Sequence, residues 1–166
     1  LGLAQSGFNG KVQPREEVRM DELLWEIKDA VSQVHPESKI ELDLNKLPED
    51  EAAVTLKANK NLLKLAITNI VSNACKYSDF KPVSVKLESN NNLLSIAVVD
   101  QGIGIPQDDI QHIFEPFFRA SNTNNFKGYG IGLPLSLNII RLHRGSIGIK
   151  TQEGLGTEIK VMLPIN

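Results

Sequence analysis

Apolar residues recur three and four positions apart in three long stretches of the chain, which is the period of an amphipathic helix. These predicted helices cover residues 21–34, 61–78 and 133–142, and a shorter helix is predicted over residues 108–114. Asp21 is placed to cap the first helix, and Pro36 ends it.

Six other segments alternate between apolar and polar residues, as a strand with one covered face does. They are residues 39–44, 53–58, 83–87, 94–99, 146–151 and 157–163. Alternation favours an antiparallel sheet over a doubly wound parallel one, whose strands would be apolar throughout. The order of elements predicts an α/β (α+β) two-layer sandwich, in which helices cover one face of a mixed, largely antiparallel sheet.

Composition is that of one globular domain: 166 residues, 41% hydrophobic and 23% charged. Glycines and a proline interrupt residues 1–18, which we interpret as the end of a preceding element and a linker, and we assign residues 19–166 to the domain.

The net charge of −2 argues against general electrostatic binding of nucleic acid, although a local basic patch stays open. No apolar run has the length of a membrane span, and no signal peptide is recognised. Cys75 is the single cysteine, which excludes an internal disulfide and a cysteine-based zinc site.

The helix over residues 61–78 carries an unusual polar stripe. Asn69, Asn73 and Lys76 fall within roughly 60° of one another on the side away from the apolar face. A buried amide without a partner costs about 1–3 kcal/mol, so these side chains require either solvent or a ligand. The helix alone does not decide between the two.

Asp100 ends an apolar strand and is followed by two alternate glycines, Gly102 and Gly104. The glycines let a ligand come close to the backbone, and the carboxylate can accept a hydrogen bond from an exocyclic amine, so this segment suits adenine as a ligand. A strand-end turn with a solvated aspartate is the alternative.

A second glycine-rich segment, residues 127–133, precedes the last helix. Its alternate glycines and the helix start suit a phosphate cradle, although such loops also serve only as turns. It is neither a Walker motif nor a dinucleotide fingerprint. Between the two segments, residues 113–119 (IFEPFFR) combine an aromatic plug with Arg119, which can reach a phosphate or a partner. The polar residues 121–127 have the profile of a mobile loop.

No other catalytic constellation competes with these segments. His35, His112 and His143 are scattered without a metal-binding or triad-like context, and each is interpreted as a surface or helix-end residue.

Together, NIVSNACKYS, DQGIGIP, FEPFFR and GYGIGLPLS resemble the N box, the first glycine box, the F box and the second glycine box of sensor histidine kinases, in that order. Residues 154–159 are similar to that family's closing hairpin. The resemblance covers the chain from about residue 20 to its end. It implies the ATP-binding catalytic domain of the GHKL (Bergerat) fold, with a flexible ATP lid. The implied activity is that of a two-component protein histidine kinase, which transfers the γ-phosphoryl of ATP to a histidine.

The resemblance also implies roles for individual residues. Asp100 would accept from the adenine amine, and Asn73 would coordinate Mg²⁺. The implied catalytic residues are Asn69, Lys76 and Arg119. The implied nucleotide contacts are Asn69, Asn73, Lys76, Tyr77, Asp100, Gly102, Gly104, Ile105, Gly128, Tyr129, Gly130, Gly132, Leu133 and Thr157.

Two positions depart from the common pattern: Tyr129 stands where a small hydroxyl residue is usual, and Leu137 where a basic residue is common.

None of the three histidines is followed by an acidic residue, so the resemblance places the phosphoacceptor histidine upstream of Leu1. The implied partners are that dimerisation domain and a response regulator, with no nucleic acid. The parent would be a homodimer that can be anchored in the inner membrane, and the isolated domain a cytoplasmic monomer.

Gyrase B and MutL, which share the fold, place a glutamate four residues before the magnesium asparagine to activate water. Here that position is Asn69, and residues 61–78 contain no carboxylate, so the expected base for hydrolysis is absent. Phosphoryl transfer to an imidazole fits better. A nucleotide-dependent binding module, such as an anti-sigma factor or a degenerate kinase, is the alternative of a different class, and a protein-interaction domain without nucleotide is a third.

Overall fold

The computed structural model describes residues 15–115 and 132–165. Three α-helices are present in these residues: α1 (Met20–Val34), α2 (Lys60–Tyr77) and α3 (Gly132–Leu142). The strands are β1 (Glu16–Arg19), β2 (Ile40–Asp43), β3 (Thr55–Ala58), β4 (Val83–Asn90), β5 (Leu93–Val99), β6 (Ser146–Gln152) and β7 (Gly156–Pro164). Two short 3-10 helices cover Glu51–Val54 and Gln107–His112.

Five strands form the main sheet in the order β2-β4-β5-β7-β6. The β2–β4 pair is parallel, and the other three pairs are antiparallel. The inward side chains of the central strands β4 and β5 are fully buried, for example Leu94 and Ile96 on β5, and they share one apolar core with Leu63 and Ile67 of α2. The predicted two-layer, largely antiparallel sandwich is therefore confirmed.

Helices α2 and α3 run antiparallel to one another. The Ser136 hydroxyl donates to the carbonyl of Ala66 at 2.8 Å, and His143 meets the backbone N–H of Asn59 at 3.1 Å. Asn59 also caps α2, since its Oδ1 accepts from the N–H of Leu62 at 3.0 Å. The start of α3 consequently lies beside the second half of α2.

His143 ends a helix, as predicted, but it is buried rather than exposed. Nδ1 lies 2.8 Å from the carbonyl of Ile139 and Nε2 lies 3.1 Å from the N–H of Asn59. These partners require Nδ1 to donate and Nε2 to accept, so the ring is neutral. Burial lowers its pKa, which favours the same form.

The structure differs from the predicted elements at the beginning of the domain. Strand β1 pairs with β3 to form a separate two-stranded antiparallel sheet, although part of it falls within the predicted linker. Arg19 precedes α1, and Asp21 lies inside the first turn of α1, where its carboxylate pairs with the Arg19 guanidinium at 2.7 Å instead of capping the helix. The assignment of residues 1–18 and 19–166 to linker and domain stays a prediction.

Residues 53 and 54, the first two of the predicted strand segment 53–58, belong instead to the 3-10 helix Glu51–Val54. Asp50 accepts from the N–H of Ala52 and turns the chain before β3 begins. The predicted short helix over residues 108–114 is likewise a 3-10 helix. Within the described ranges, no helix has the length and apolar character needed to cross a membrane.

Candidate functional site

Asp100 follows β5 directly and lies opposite Thr157, in continuation of the β5–β7 register. Its N–H donates to the carbonyl of Thr157 at 2.9 Å. Its Oδ1 accepts from the N–H of Gly102 at 2.8 Å and from the N–H of Thr157 at 3.2 Å. The other carboxylate oxygen, Oδ2, has no hydrogen-bond donor among the described residues, so it is available to a ligand.

Burial of the Asp100 carboxyl raises its pKa above the usual range, and the two backbone N–H groups of Gly102 and Thr157 oppose that rise. The carboxylate is thus partly desolvated and held in one orientation. A hydrogen bond to such a group is stronger than one to a carboxylate in water, because fewer water molecules compete for it.

The loop that follows Asp100 packs against the end of α2. The N–H of Ile103 donates to the carbonyl of Tyr77 at 3.3 Å, and a Cβ placed on Gly102 would overlap that same carbonyl. Gly104 has a φ of +70°, and a Cβ there would overlap the carbonyl of Gln152. These two glycines allow the loop to lie between α2 and the β6–β7 hairpin.

Replacing Gly102 with alanine is expected to destabilise the fold by about 1–3 kcal/mol, because the new methyl group must displace backbone rather than a flexible side chain. Urea unfolding measures the loss. Gly148→Ala is the matched control, since a Cβ at Gly148 would meet nothing within 4 Å. Equal stability of the two variants would contradict the close approach of the loop to Tyr77.

Asn73 and Asn69 lie one and two turns before Tyr77 and therefore on the same line along α2. Both side chains are partly buried, and neither has a hydrogen bond to another described residue. Burial raises the pKa of the Cys75 thiol to about 11, and the negative charge of Asp100 adds to that rise. The loop after Asp100 is bonded to the carbonyl of Tyr77, so the carboxylate lies near the end of α2. The polar stripe of α2 thus runs toward the carboxylate.

The beginning of α3 lies beside this stripe because α2 and α3 are antiparallel. Ser136 of α3 is bonded to Ala66 of α2. Gly132 lies one turn earlier in α3, and because the helices are antiparallel it lies near Asn69, about one turn later in α2. A helix start carries partial positive charge and unpaired N–H groups, which suit an anionic ligand. The partly buried Leu133 anchors this end against the core.

A depression of about 330 Å³ opens where β5 and β6 end and β7 begins. Its walls are Val99, Asp100, Lys150, Thr151, Gln152, Leu155, Gly156, Thr157 and Glu158. Asp100, Thr157 and Thr151 form a row across the three strands on the face that the helices cover. Val99, Lys150 and Glu158 belong to the opposite face, so the depression extends around the end of the sheet.

Comparison with known proteins identifies the family. A family model described as "Histidine kinase-, DNA gyrase B-, and HSP90-like ATPase" matches residues 58–166. The chain belongs to this family. It is 31% identical over 119 residues to the sensor histidine kinase RcsC of Escherichia coli, an alignment that covers 70% of this chain and 12% of RcsC. It is 30% identical over 165 residues to the adaptive-response sensory kinase SasA of Crocosphaera subtropica, which covers 98% of this chain and 42% of SasA.

The chain therefore spans less than half the length of either relative. Among solved structures, it is similar to the mycobacterial sensor histidine kinase MprB, with a TM-score of 0.75, 24% identity, and coverage of 91% of this chain and 97% of that one. It is also similar to full-length ShkA in complex with AMPPNP, with a TM-score of 0.77, 22% identity, and coverage of 98% and 33%. The resemblance predicted from the four boxes is confirmed, and membership of this ATPase family implies ATP as the nucleotide.

Some residues predicted for the ATPase-family site come together in the structure. Asp100 is bonded to the hairpin residue Thr157, and the loop after Asp100 is bonded to the end of α2 at Tyr77. Lys76 is partly buried beside Tyr77. Ile105 donates its N–H to the Thr151 hydroxyl at 2.9 Å. Four predicted site residues lie outside the described ranges, namely Arg119, Gly128, Tyr129 and Gly130.

The sequence analysis missed Thr151 and Gly156. Gly156 has a φ of +119°, and a Cβ there would overlap the backbone carbonyl of Asp100, so only glycine lets the start of β7 lie this close to the Asp100 backbone. Thr151 lies opposite Thr157 in the hairpin. The predicted hairpin could have indicated both, because a short turn over residues 153–156 sets the two threonines directly across from each other.

Proposed function

We propose that this chain is the ATP-binding catalytic domain of a two-component sensor histidine kinase, which transfers the γ-phosphoryl of ATP to a histidine on a dimerisation domain. The observation that carries the proposal is the Asp100 carboxylate. It is held by two backbone N–H groups with Oδ2 left to a ligand, beside an α2 stripe that bears amides but no carboxylate. The kinase names of RcsC and SasA support it.

In the proposed complex, Oδ2 of Asp100 accepts from the exocyclic amine of adenine. Gly102 and Gly104 bring the backbone of the loop close to the base, and Ile105, fixed by Thr151, forms its far side. The proposed adenine amine matches the site, because the ionised Asp100 carboxylate can only accept a hydrogen bond and the amine can donate one.

Asn73 would hold a Mg²⁺ ion through its side-chain oxygen. The donor chemistry fits, because Mg²⁺ prefers hard oxygen ligands and a neutral amide adds no charge beside a triphosphate. The lack of a hydrogen-bond partner for Asn73 among the described residues leaves that oxygen available. When bound, the ion supplies neutralisation of the phosphate charge.

The remaining residues orient the triphosphate. Asn69 lies one turn before Asn73, Lys76 supplies a cation at the end of α2, and the start of α3 at Gly132 and Leu133 directs N–H groups toward the phosphates. Gly128, Tyr129 and Gly130 are proposed as lid contacts, and Arg119 as a phosphate ligand.

In the transfer step, an imidazole nitrogen of the acceptor forms a bond to the γ-phosphorus as the bond to the β–γ bridging oxygen breaks. ADP leaves with the electron pair, and the imidazole N–H proton is lost to solvent. Such transfers depend mainly on positioning and charge stabilisation. They do not require a carboxylate on α2, whereas activation of water does.

The proposed partners are the dimerisation domain that carries the acceptor histidine and a response regulator that receives the phosphoryl group. The parent protein is proposed to be a homodimer, and the domain a cytoplasmic monomer.

Calorimetry of the domain with ATP, with and without Mg²⁺, tests nucleotide binding. Adding the purified dimerisation domain and γ-labelled ATP then tests transfer, with label on a histidine as the expected result. Binding without any labelled histidine would contradict the kinase and favour a nucleotide-dependent binding module. Failure to bind ATP or ADP would contradict the nucleotide site altogether.

A further inference from the structure

We propose that Thr151 is a positioning residue that fixes the direction of the Thr157 hydroxyl, and so selects 6-amino purines over 6-oxo purines. The inference rests on the proposed function and deepens it by assigning the base specificity of the same site. It starts from the three neighbours of the Thr151 hydroxyl oxygen.

That oxygen lies 2.9 Å from the N–H of Ile105, 3.2 Å from the carbonyl of Gly156 and 2.8 Å from the Thr157 hydroxyl. A hydroxyl offers one hydrogen and two lone pairs. The Ile105 N–H can only donate, so it occupies one lone pair. The Gly156 carbonyl can only accept, so it takes the hydrogen.

All three contacts are then satisfied in a single arrangement: the Thr157 hydroxyl must donate its hydrogen to the second lone pair of Thr151. Thr157 is buried, with 8% of its surface exposed, so water has little access to offer a different partner. The Thr157 hydroxyl therefore donates its hydrogen to Thr151, and the Thr157 oxygen can only accept a hydrogen bond from a ligand.

Thr157 and Asp100 are cross-strand neighbours, joined by two hydrogen bonds between their backbone and carboxylate groups. Both residues also line the depression at the end of the sheet, so a ligand there meets two acceptors, Oδ2 of Asp100 and the Thr157 oxygen, and no hydroxyl donor from this pair. An exocyclic amine carries two hydrogens and matches two acceptors. A carbonyl oxygen at the same position of the purine would face acceptors only, which is unfavourable.

Thr151→Val removes the hydroxyl while keeping the shape of the side chain. It frees the Thr157 hydrogen, which can then turn toward a carbonyl at position 6 of the purine. We expect the ratio of ATP to ITP affinity to fall about tenfold, the effect of one hydrogen bond changing from unfavourable to favourable. Both dissociation constants are measured by calorimetry, and Thr151→Ser, which restores the hydroxyl, is expected to restore the ratio.

A merely structural role for Thr151 gives a different result. Both nucleotides would then bind more weakly by the same factor, and an unchanged ratio in Thr151→Val would overturn the inference. Thr157→Val is the second variant, useful if Thr151→Val does not fold. It removes the acceptor itself, so ATP affinity should fall while ITP affinity stays unchanged, and equal losses for both nucleotides would also overturn the inference.

The two proposals fail separately in these measurements. If the wild-type domain binds ATP, and the ratio of ATP to ITP affinity is unchanged in Thr151→Val and Thr157→Val, the Thr151 inference is wrong and the kinase proposal is unaffected. If the wild-type domain binds neither nucleotide, both proposals are wrong.

Discussion

Asp100→Asn is expected to lower ATP affinity by about 100-fold or more while the domain stays folded. The asparagine Oδ1 can accept from the N–H groups of Gly102 and Thr157 as the carboxylate does. The amide nitrogen then replaces Oδ2 and directs hydrogens at the adenine amine, so an acceptor becomes a repelling donor. Calorimetry with ATP and Mg²⁺ measures the affinity.

The thermal midpoint separates this effect from unfolding. Because burial raises the pKa of folded Asp100 above its unfolded value, ionising the group disfavours folding above the unfolded pKa. A neutral asparagine removes that cost, so the midpoint at pH 7 is expected to be equal or higher than in the wild type. Asp29→Asn, on the exposed side of α1, is the matched control. Unchanged ATP affinity in Asp100→Asn would remove the adenine assignment.

Alternation of apolar and polar residues was sufficient to predict most of the sheet. In β4 and β5, one covered face fixes which side chains point inward, and a slip of one residue would expose all of them. The turn between these strands also suits its residues, since Asn91 and Asn92 have φ values of 53° and 61°, which asparagine tolerates better than most residues.

Strand β1 could not be predicted in this way. Its four residues, EEVR, contain a single apolar side chain, Val18, and its partner β3 lies about 40 residues away. So short a strand has no period of its own, and only pairing with β3 defines it. The pairing buries Val18, which the sequence analysis assigned to a linker.

Prediction of the candidate site from sequence has the same limit. A single residue with distinctive chemistry, such as Asp100, could be selected from its position after an apolar strand, and its role in binding stays a prediction. Thr151 could not be selected in this way, because its role depends on three partners from separate parts of the chain, Ile105, Gly156 and Thr157. A hydroxyl in an alternating strand predicts a solvated or buried side chain equally well, and only the folded contacts decide which.

Asn73→Ala is expected to abolish the Mg²⁺ dependence of ATP binding and to reduce phosphoryl transfer by about 100-fold or more, since catalysis of this kind depends on metal-assisted positioning of the phosphates. The proposed adenine contacts at Asp100 are untouched, so metal-free ATP should bind as it does to the wild type. Calorimetry with and without Mg²⁺ gives the first result, and labelled ATP with the dimerisation domain gives the second. Asn61→Ala, an exposed position of the same helix, is the matched control. If Mg²⁺ strengthens ATP binding equally in both variants, the ion is held by other residues and the amide stripe of α2 has a different purpose.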